Sequence, residues 1–237
     1  MNITVIYGSP RKNGCSHTAA RLFLSAMEGC GDISVTEFYL PADLPEFCHG
    51  CMRCVLDGEA ACPHAQYTLP ILQAMLAADA LVFTTPVFVM AESGSIKNFL
   101  DHYAHLFIVH RAREEMFGKK AFVLCTTLGA GTKHARKTIK TSLRFWGVNR
   151  VYSAGFALQQ VDWANMKPAR RQKIERKLQA HGAKFYQETA SKKRHKPYLF
   201  LRFLVFFLRR MVPTYQDDML DKQYWVEKGW LKKSPFA

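Results

Sequence analysis

The chain has 237 residues, 49% of them hydrophobic, which is enough to bury a substantial core in one large domain or one domain with an appendage. With 22% charged residues and no low-complexity tract it is neither a disordered nor a fibrous chain. Its formal net charge of +14 is unevenly spread: residues 1–132 hold nine Lys/Arg against twelve Asp/Glu, and residues 133–237 hold 24 against seven, so an anionic partner is expected on one side only.

The N-terminus has no basic stretch, long apolar run or cleavage motif, and no apolar run reaches the roughly 20 residues a membrane-spanning helix needs. A cytoplasmic protein is expected, with any membrane contact peripheral. In that reducing setting seven cysteines point to metal binding or redox chemistry rather than a disulfide framework.

Apolar residues 3–7 read as a first strand, ending at Gly8-Ser9-Pro10, with a helix over about 16–27. Residues 33–38 alternate as an edge strand does, whereas 80–84 and 121–125 are continuously apolar, as strands covered on both faces are. Helices are expected from about Glu92 to His105, around Ala135 to Trp146 and onward from Pro168, with a fifth strand over 151–156. This alternation predicts an α/β doubly wound fold with a parallel five-stranded sheet in the order 2-1-3-4-5 and a helical C-terminal extension. A ligand is then expected outside the carboxyl ends of strands 1, 3 and 4, in loops 8–18, 84–95 and 126–132.

The first of these loops, Gly8-Ser9-Pro10-Arg11-Lys12-Asn13-Gly14-Cys15-Ser16-His17-Thr18, joins hydroxyls, a guanidinium and helix-start amides, a set suited to a phosphate monoester. It is neither G-x-G-x-x-G nor a P-loop, since Cys15 stands where Lys would be required. The loop resembles the FMN phosphate loop of the flavodoxin-like NAD(P)H-dependent FMN reductase superfamily. Thr84-Thr85-Pro86-Val87-Phe88, with Ser93-Gly94-Ser95-Ile96-Lys97-Asn98 after it, resembles that superfamily's second flavin loop. The resemblance covers about residues 1–160. It implies that Ser9, Arg11, Asn13, Ser16 and Thr18, with His17 among them, surround the phosphate, and that Pro86, Val87 and Phe88 line the isoalloxazine. Cys15 and Phe88 depart from the superfamily's usual small polar residue and Tyr. From the third loop, Thr127 and Gly129 join the candidate flavin contacts, although a Gly-rich turn there needs no ligand.

Between strands 2 and 3 lies Cys48-His49-Gly50-Cys51-Met52-Arg53-Cys54, followed after seven residues by Cys62-Pro63. Three thiols at C-x2-C-x2-C spacing and a fourth beyond a turn resemble ferredoxin-type ligation. In a flavodoxin-like setting they resemble the compact motif of iron–sulfur flavoproteins, which implies a [4Fe–4S] cluster on Cys48, Cys51, Cys54 and Cys62 beside FMN. Zinc on four thiolates and a metal-free thiol loop stay open as readings, iron–sulfur ahead of zinc. Cys30 and Cys125 read as core residues and His49 as a solvated side chain.

Residues 1–190 are thus expected to form the FMN-binding domain, with the cysteine motif in loop 41–66, and residues 191–237 a basic extension. That extension opens on Ser191-Lys192-Lys193-Arg194-His195-Lys196. The apolar segment 197–213 after it carries Arg202, Arg209 and Arg210 and is long enough to lie in a membrane interface, or else packs on the core or across a homodimer. Tyr224, Trp225 and Trp230 are expected to pin the tail. The expected activity is electron transfer from NADH or NADPH through FMN to a small-molecule or protein acceptor, with the chemistry in the cofactor and no catalytic side chain assigned. A homo-oligomer is expected. An electron carrier with little NAD(P)H turnover is the alternative, and a nucleic-acid module, which leaves the flavin loops unexplained, ranks last.

Overall fold

The computed structural model describes residues 1–236 apart from Lys192 and Arg194, so those two members of the basic run lie outside the described residues. Five parallel strands, β1 (Asn2–Tyr7), β2 (Ser34–Tyr39), β3 (Ala80–Pro86), β4 (Lys120–Thr127) and β5 (Arg150–Ala157), form one sheet in the order β2-β1-β3-β4-β5. This is the flavodoxin-like order expected from the alternation of strands and helices.

Alternate side chains of each central strand enter opposite layers. Ile3, Val5, Val82, Phe122 and Leu124 pack under helices α1 (Cys15–Glu28) and α6 (Pro168–Ala190), meeting Phe23, Leu24, Leu178 and Phe185. Ile6, Leu81, Phe83, Ala121 and Val123 face the other side, where α3 (Ala65–Ala77), α4 (Gly94–His102) and α5 (Thr132–Phe145) supply Met75, Phe99 and Leu143. The period of two, buried on both faces, explains why these strands read as unbroken apolar runs. α1 and α6 approach so closely that a Cβ on Gly182 would lie 2.2 Å from the Phe23 carbonyl oxygen.

Some elements differ from expectation. α3 is a full helix that the sequence reading did not assign, its pattern obscured by Pro70 inside it and Pro63 just before it. A four-residue helix, α2 (Arg53–Leu56), forms within the cysteine segment. α4 ends at His102, three residues early, and a separate 3-10 turn spans Ala104–Leu106.

Beyond α6, helices α7 (Leu199–Met211) and α8 (Leu220–Glu227) build a third apolar cluster in which Leu201, Val205, Leu208, Trp225 and Trp230 close over Ile108 and Ala112. Trp225 Nε1 donates to the His110 carbonyl at 2.9 Å and Tyr224 Oη to that of Ala112 at 2.7 Å, so these aromatics do pin the tail. Among the described residues no helix is long and apolar enough to cross a membrane.

Candidate functional site

The β1–α1 loop brings an anion-binding surface to the carboxyl edge of the sheet. Gly14 precedes the helix in extended conformation and offers no side-chain cap, so the first amides of α1, those of Cys15, Ser16 and His17, have no intrahelical acceptor. Their dipoles favour an anion. Ser9 Oγ accepts weakly from the Arg11 amide at 3.4 Å, and the Arg11 side chain is exposed at the same loop. Gly8 is required by close approach. Its amide donates to Thr84 O at 2.7 Å, and a Cβ there would lie 2.4 Å from Ile96 Cγ1.

The β3–α4 loop is fixed by its hydroxyls. The Ser93 amide donates to Thr85 Oγ1 at 3.1 Å, and Ser93 Oγ caps α4 by accepting from the Ile96 amide. Val87 N donates to Thr126 O at 2.8 Å, tying this loop to β4. Ser16 Oγ and Thr126 Oγ1 share a hydrogen bond of 2.6 Å, joining α1 to β4.

These loops converge on a cleft of about 190 Å3. Of the residues expected to contact flavin, Ser9, Arg11, Ser16, Pro86, Val87, Phe88 and Thr127 line it. Asn13, His17, Thr18 and Gly129 do not: Asn13 is exposed, the His17 ring packs on Tyr7 and Tyr39, Thr18 Oγ1 donates back to Gly14 O, and Gly129 is exposed with its amide directed at Thr127 Oγ1. Cys15 lines the cleft, its Sγ donating to Val161 O; burial, followed by the nearby Asp162, raises its pKa. The sequence reading missed a fourth wall, Leu158, Gln160 and Val161, which follows β5. The position of β5 beside β4 was its signal, because the carboxyl end of that strand opens onto the same edge.

The cysteine segment folds around a second cavity of about 240 Å3 lined by Cys48, Cys51, Cys54 and Cys62, all four with free thiols. The thiols are near enough to act on one another: the Cys54 pKa is raised first by burial and then by Cys62, Cys48 and Cys51, with Arg111 opposing. Among the described residues no three ligating side chains are grouped closely enough to hold a single metal ion. The loop is clamped at both ends. Asn98, on α4, accepts from the Cys48 amide and donates to Glu46 O, each at 2.8 Å. Arg111 donates to the carbonyls of Cys54 and Val55.

Histidines share that cavity. His49 meets His64 edge-on at 5.0 Å, and His64 Nδ1 lies 2.9 Å from His102 Nε2. His102 Nδ1 is 2.9 Å from the Asn98 carbonyl, which can only accept, so that nitrogen carries the proton and Nε2 accepts from His64. Burial lowers the His102 pKa, which disfavours protonation of the ring. His64 and His102 are 38 residues apart and carry no shared motif; only the fold brings them together. α4 thus connects the two cavities, with Ser93 at the cleft end and Asn98 and His102 about one and a half and two and a half turns on.

Comparison with known proteins agrees with this architecture. An iron–sulfur flavoprotein of Clostridioides difficile is 29% identical over 129 residues, which is 54% of this chain and 54% of that protein, so the chain spans about half the length of the curated relative it matches. An FMN-dependent NADH-azoreductase of Bacillus anthracis superposes with a TM-score of 0.60 at 13% identity, over 78% of this chain and all of that one. The NAD(P)H:quinone oxidoreductase of Methanothermobacter marburgensis gives 0.59 at 17% identity, over 78% and 96%; at such identities both comparisons speak to the fold. The model of the NADPH-dependent FMN reductase family matches residues 1–162, the span that contains the phosphate loop, the cysteine segment and all five strands, and the chain belongs to that family.

Proposed function

We propose that this protein is an FMN-dependent oxidoreductase that takes electrons from NADH or NADPH and passes them to an acceptor. The observation that carries the reading is the convergence of four strand-end loops on one cleft whose walls combine uncapped helix amides and Arg11 with the Pro86-Val87-Phe88 backbone. When bound, FMN accepts a hydride and can release its electrons singly. The protein's part is positional. The amides of Cys15, Ser16 and His17, the hydroxyls of Ser9 and Ser16 and the Arg11 guanidinium would hold the phosphate, while Pro86, Val87, Phe88 and Thr127 would bound the ring. Asn13, Thr18 and Gly129 belong to the reading as residues that shape those loops. Phe88, Leu128 and Val161 expose apolar surface at the cleft, a place for an acceptor or a second subunit, and homo-oligomerisation is part of the same proposal.

The finer part of the proposal is a [4Fe–4S] cluster on Cys48, Cys51, Cys54 and Cys62. Four free thiols around one cavity are a donor set that a multi-iron cluster takes, and zinc on the same four thiolates is the second reading. A one-electron centre beside a flavin would give its electrons a separate exit.

Anaerobic purification with absorption, iron and sulfide assays, followed by FMN titration and NAD(P)H oxidation, tests both parts. Bound flavin, with about four irons per chain, is the expected result. FMN binding without iron removes the cluster alone, and failure to bind FMN overturns the whole reading.

A further inference from the structure

α7 is apolar on both sides. Its inward face, Leu201, Val205 and Leu208, is buried against the body of the protein. Its outward face carries Leu199, Phe200, Phe203, Phe206, Phe207 and Met211, and each is 41–65% exposed. A helix that only packed on the body would place polar residues there, and six large apolar side chains on one 13-residue helix exceed the scattered exposure of an ordinary surface.

The segment's own charges have one sign, with Glu188 before it, Asp217 and Asp218 after it, and Glu114 and Glu115 beside Lys196 and Phe236 as the neighbouring acids. Residues 189–216 contain seven Lys/Arg and no Asp/Glu. Arg202 is exposed on one flank of the aromatic band, and Arg210 lies over the Phe206 ring with its Cζ 3.6 Å from the ring centre. Arg209 is spent internally, donating to the carbonyls of Leu231 and Lys232, so the three arginines do not form the single outward stripe that their spacing predicts. A groove of about 650 Å3 follows the helix, with Lys196, Arg202 and Arg209 among its walls and Phe203, Phe206 and Phe236 supplying apolar surface.

We propose that the outward face of α7 is a membrane-docking surface that inserts into the interface of a bilayer rich in anionic phospholipid. Helix length, aromatic content and charge all match that occupant. Thirteen residues span about 20 Å, too short to cross a bilayer but sufficient to lie in its plane. Phenylalanines reach the acyl boundary, while Arg202, Arg210 and Lys196, all exposed, stay at the level of the lipid phosphates. Without acidic residues the segment lacks the alternating charges that pair helices of two protein subunits. The surface is independent of the flavin reading and would dock the body of the protein whether or not FMN is bound.

Flotation of the full-length protein with vesicles of phosphatidylcholine alone, or with about one third phosphatidylglycerol, tests the assignment. Binding is expected to the anionic vesicles, to fall steeply with salt, and to drop about tenfold or more in Phe203→Ser/Phe207→Ser. Both side chains are exposed, so the variant should keep the parent's melting temperature, which is measured in parallel. Arg202→Glu should weaken binding to anionic vesicles. Absence of binding to anionic vesicles overturns the proposal, as does equal binding by parent and double variant. It is overturned equally if light scattering finds a dimer that the double substitution converts to monomer while the parent fails to float, because a second copy then covers the face.

Discussion

Arg111 and Asp221, 110 residues apart, form a buried ion pair: Arg111 Nη1 donates to Asp221 Oδ1 at 2.6 Å, and the two side chains are 7% and 6% exposed. The same guanidinium donates to the carbonyls of Cys54 and Val55, and Asp221 Oδ2 faces His110 Nδ1 at 2.7 Å. One cation therefore ties α8, in the C-terminal segment, to the short helix that carries a cysteine of the candidate cluster.

Removing the carboxylate should accordingly disturb both partners. In Asp221→Ala the buried arginine keeps only Glu59, at 3.9 Å, as a charged partner, and the loss of its short ion pair costs up to about 3–5 kcal/mol. Chemical denaturation should register that loss, and labelling by a thiol reagent should find Cys54 more reactive than in the parent. Unchanged stability and labelling would show that α8 does not brace the cysteine turn.

Gly8 makes a sharper demand, because its neighbours are backbone and core. An added Cβ would meet Ser93 Oγ and Thr84 O at 2.9 Å as well as Ile96, and Thr84 cannot retreat without breaking the β1–β3 ladder. Gly8→Ala should cost about 1–3 kcal/mol, lower the melting temperature by roughly 2–4 °C per kcal/mol, and weaken FMN binding by displacing the Ser93 end of α4. Gly118→Ala, where a Cβ meets nothing within 4 Å, is the matched control and should change neither. Equal behaviour of the two variants would refute the packing argument.

Much of the lining of the candidate cleft was legible because its determinants are local. Strand–helix alternation and a polar second strand point to the sheet order, and Ser9, Arg11 and Pro86 fall at strand ends whatever the distant packing does. Gln160 and Val161 escaped notice because they follow β5 without any motif. The cysteine spacing was equally visible, but its supports were not: Asn98, His102 and Arg111 meet the loop from 38 to 57 residues away in sequence, too far for any periodicity to signal. His17 shows the opposite failure. It lies within the loop motif, yet its ring is drawn to Tyr7 and Tyr39, a tyrosine pair stacked at 4.5 Å.

His105 gives the fold an acid limit. It is buried with neither ring nitrogen hydrogen-bonded, and burial lowers its pKa from 6.5 to about 4, with Glu59 partly opposing. Between those values the unfolded chain binds a proton that the folded chain refuses, so the stability present above pH 6.5 is lost as pH falls toward 4. The shift corresponds to about 3 kcal/mol. His105→Leu removes the titration at similar volume. Urea unfolding at several pH values should show a shallower acid slope for this variant, by close to one proton; parallel slopes would assign the acid sensitivity to other groups.

The turn at residues 88–91 concerns the cleft directly. Phe88 and Ala91 exchange backbone hydrogen bonds of 3.0 Å, and both central residues are left-handed, Val89 at φ 47° and Met90 at φ 65°. Such a conformation costs a β-branched residue about 1–2 kcal/mol, and Val89, 99% exposed, recovers nothing through packing. Asn-Gly suits the two central positions. Val89→Asn/Met90→Gly should therefore raise stability by about 1–2 kcal/mol, or a melting temperature gain of roughly 2–8 °C, while leaving FMN affinity unchanged because neither side chain lines the cleft. If the exposed pair guides bulky apolar acceptors to Phe88, the same variant should raise KM for a large quinone and not for a small one. A stabilised enzyme with unaltered KM for both would mean that the strained apolar turn has no part in acceptor docking.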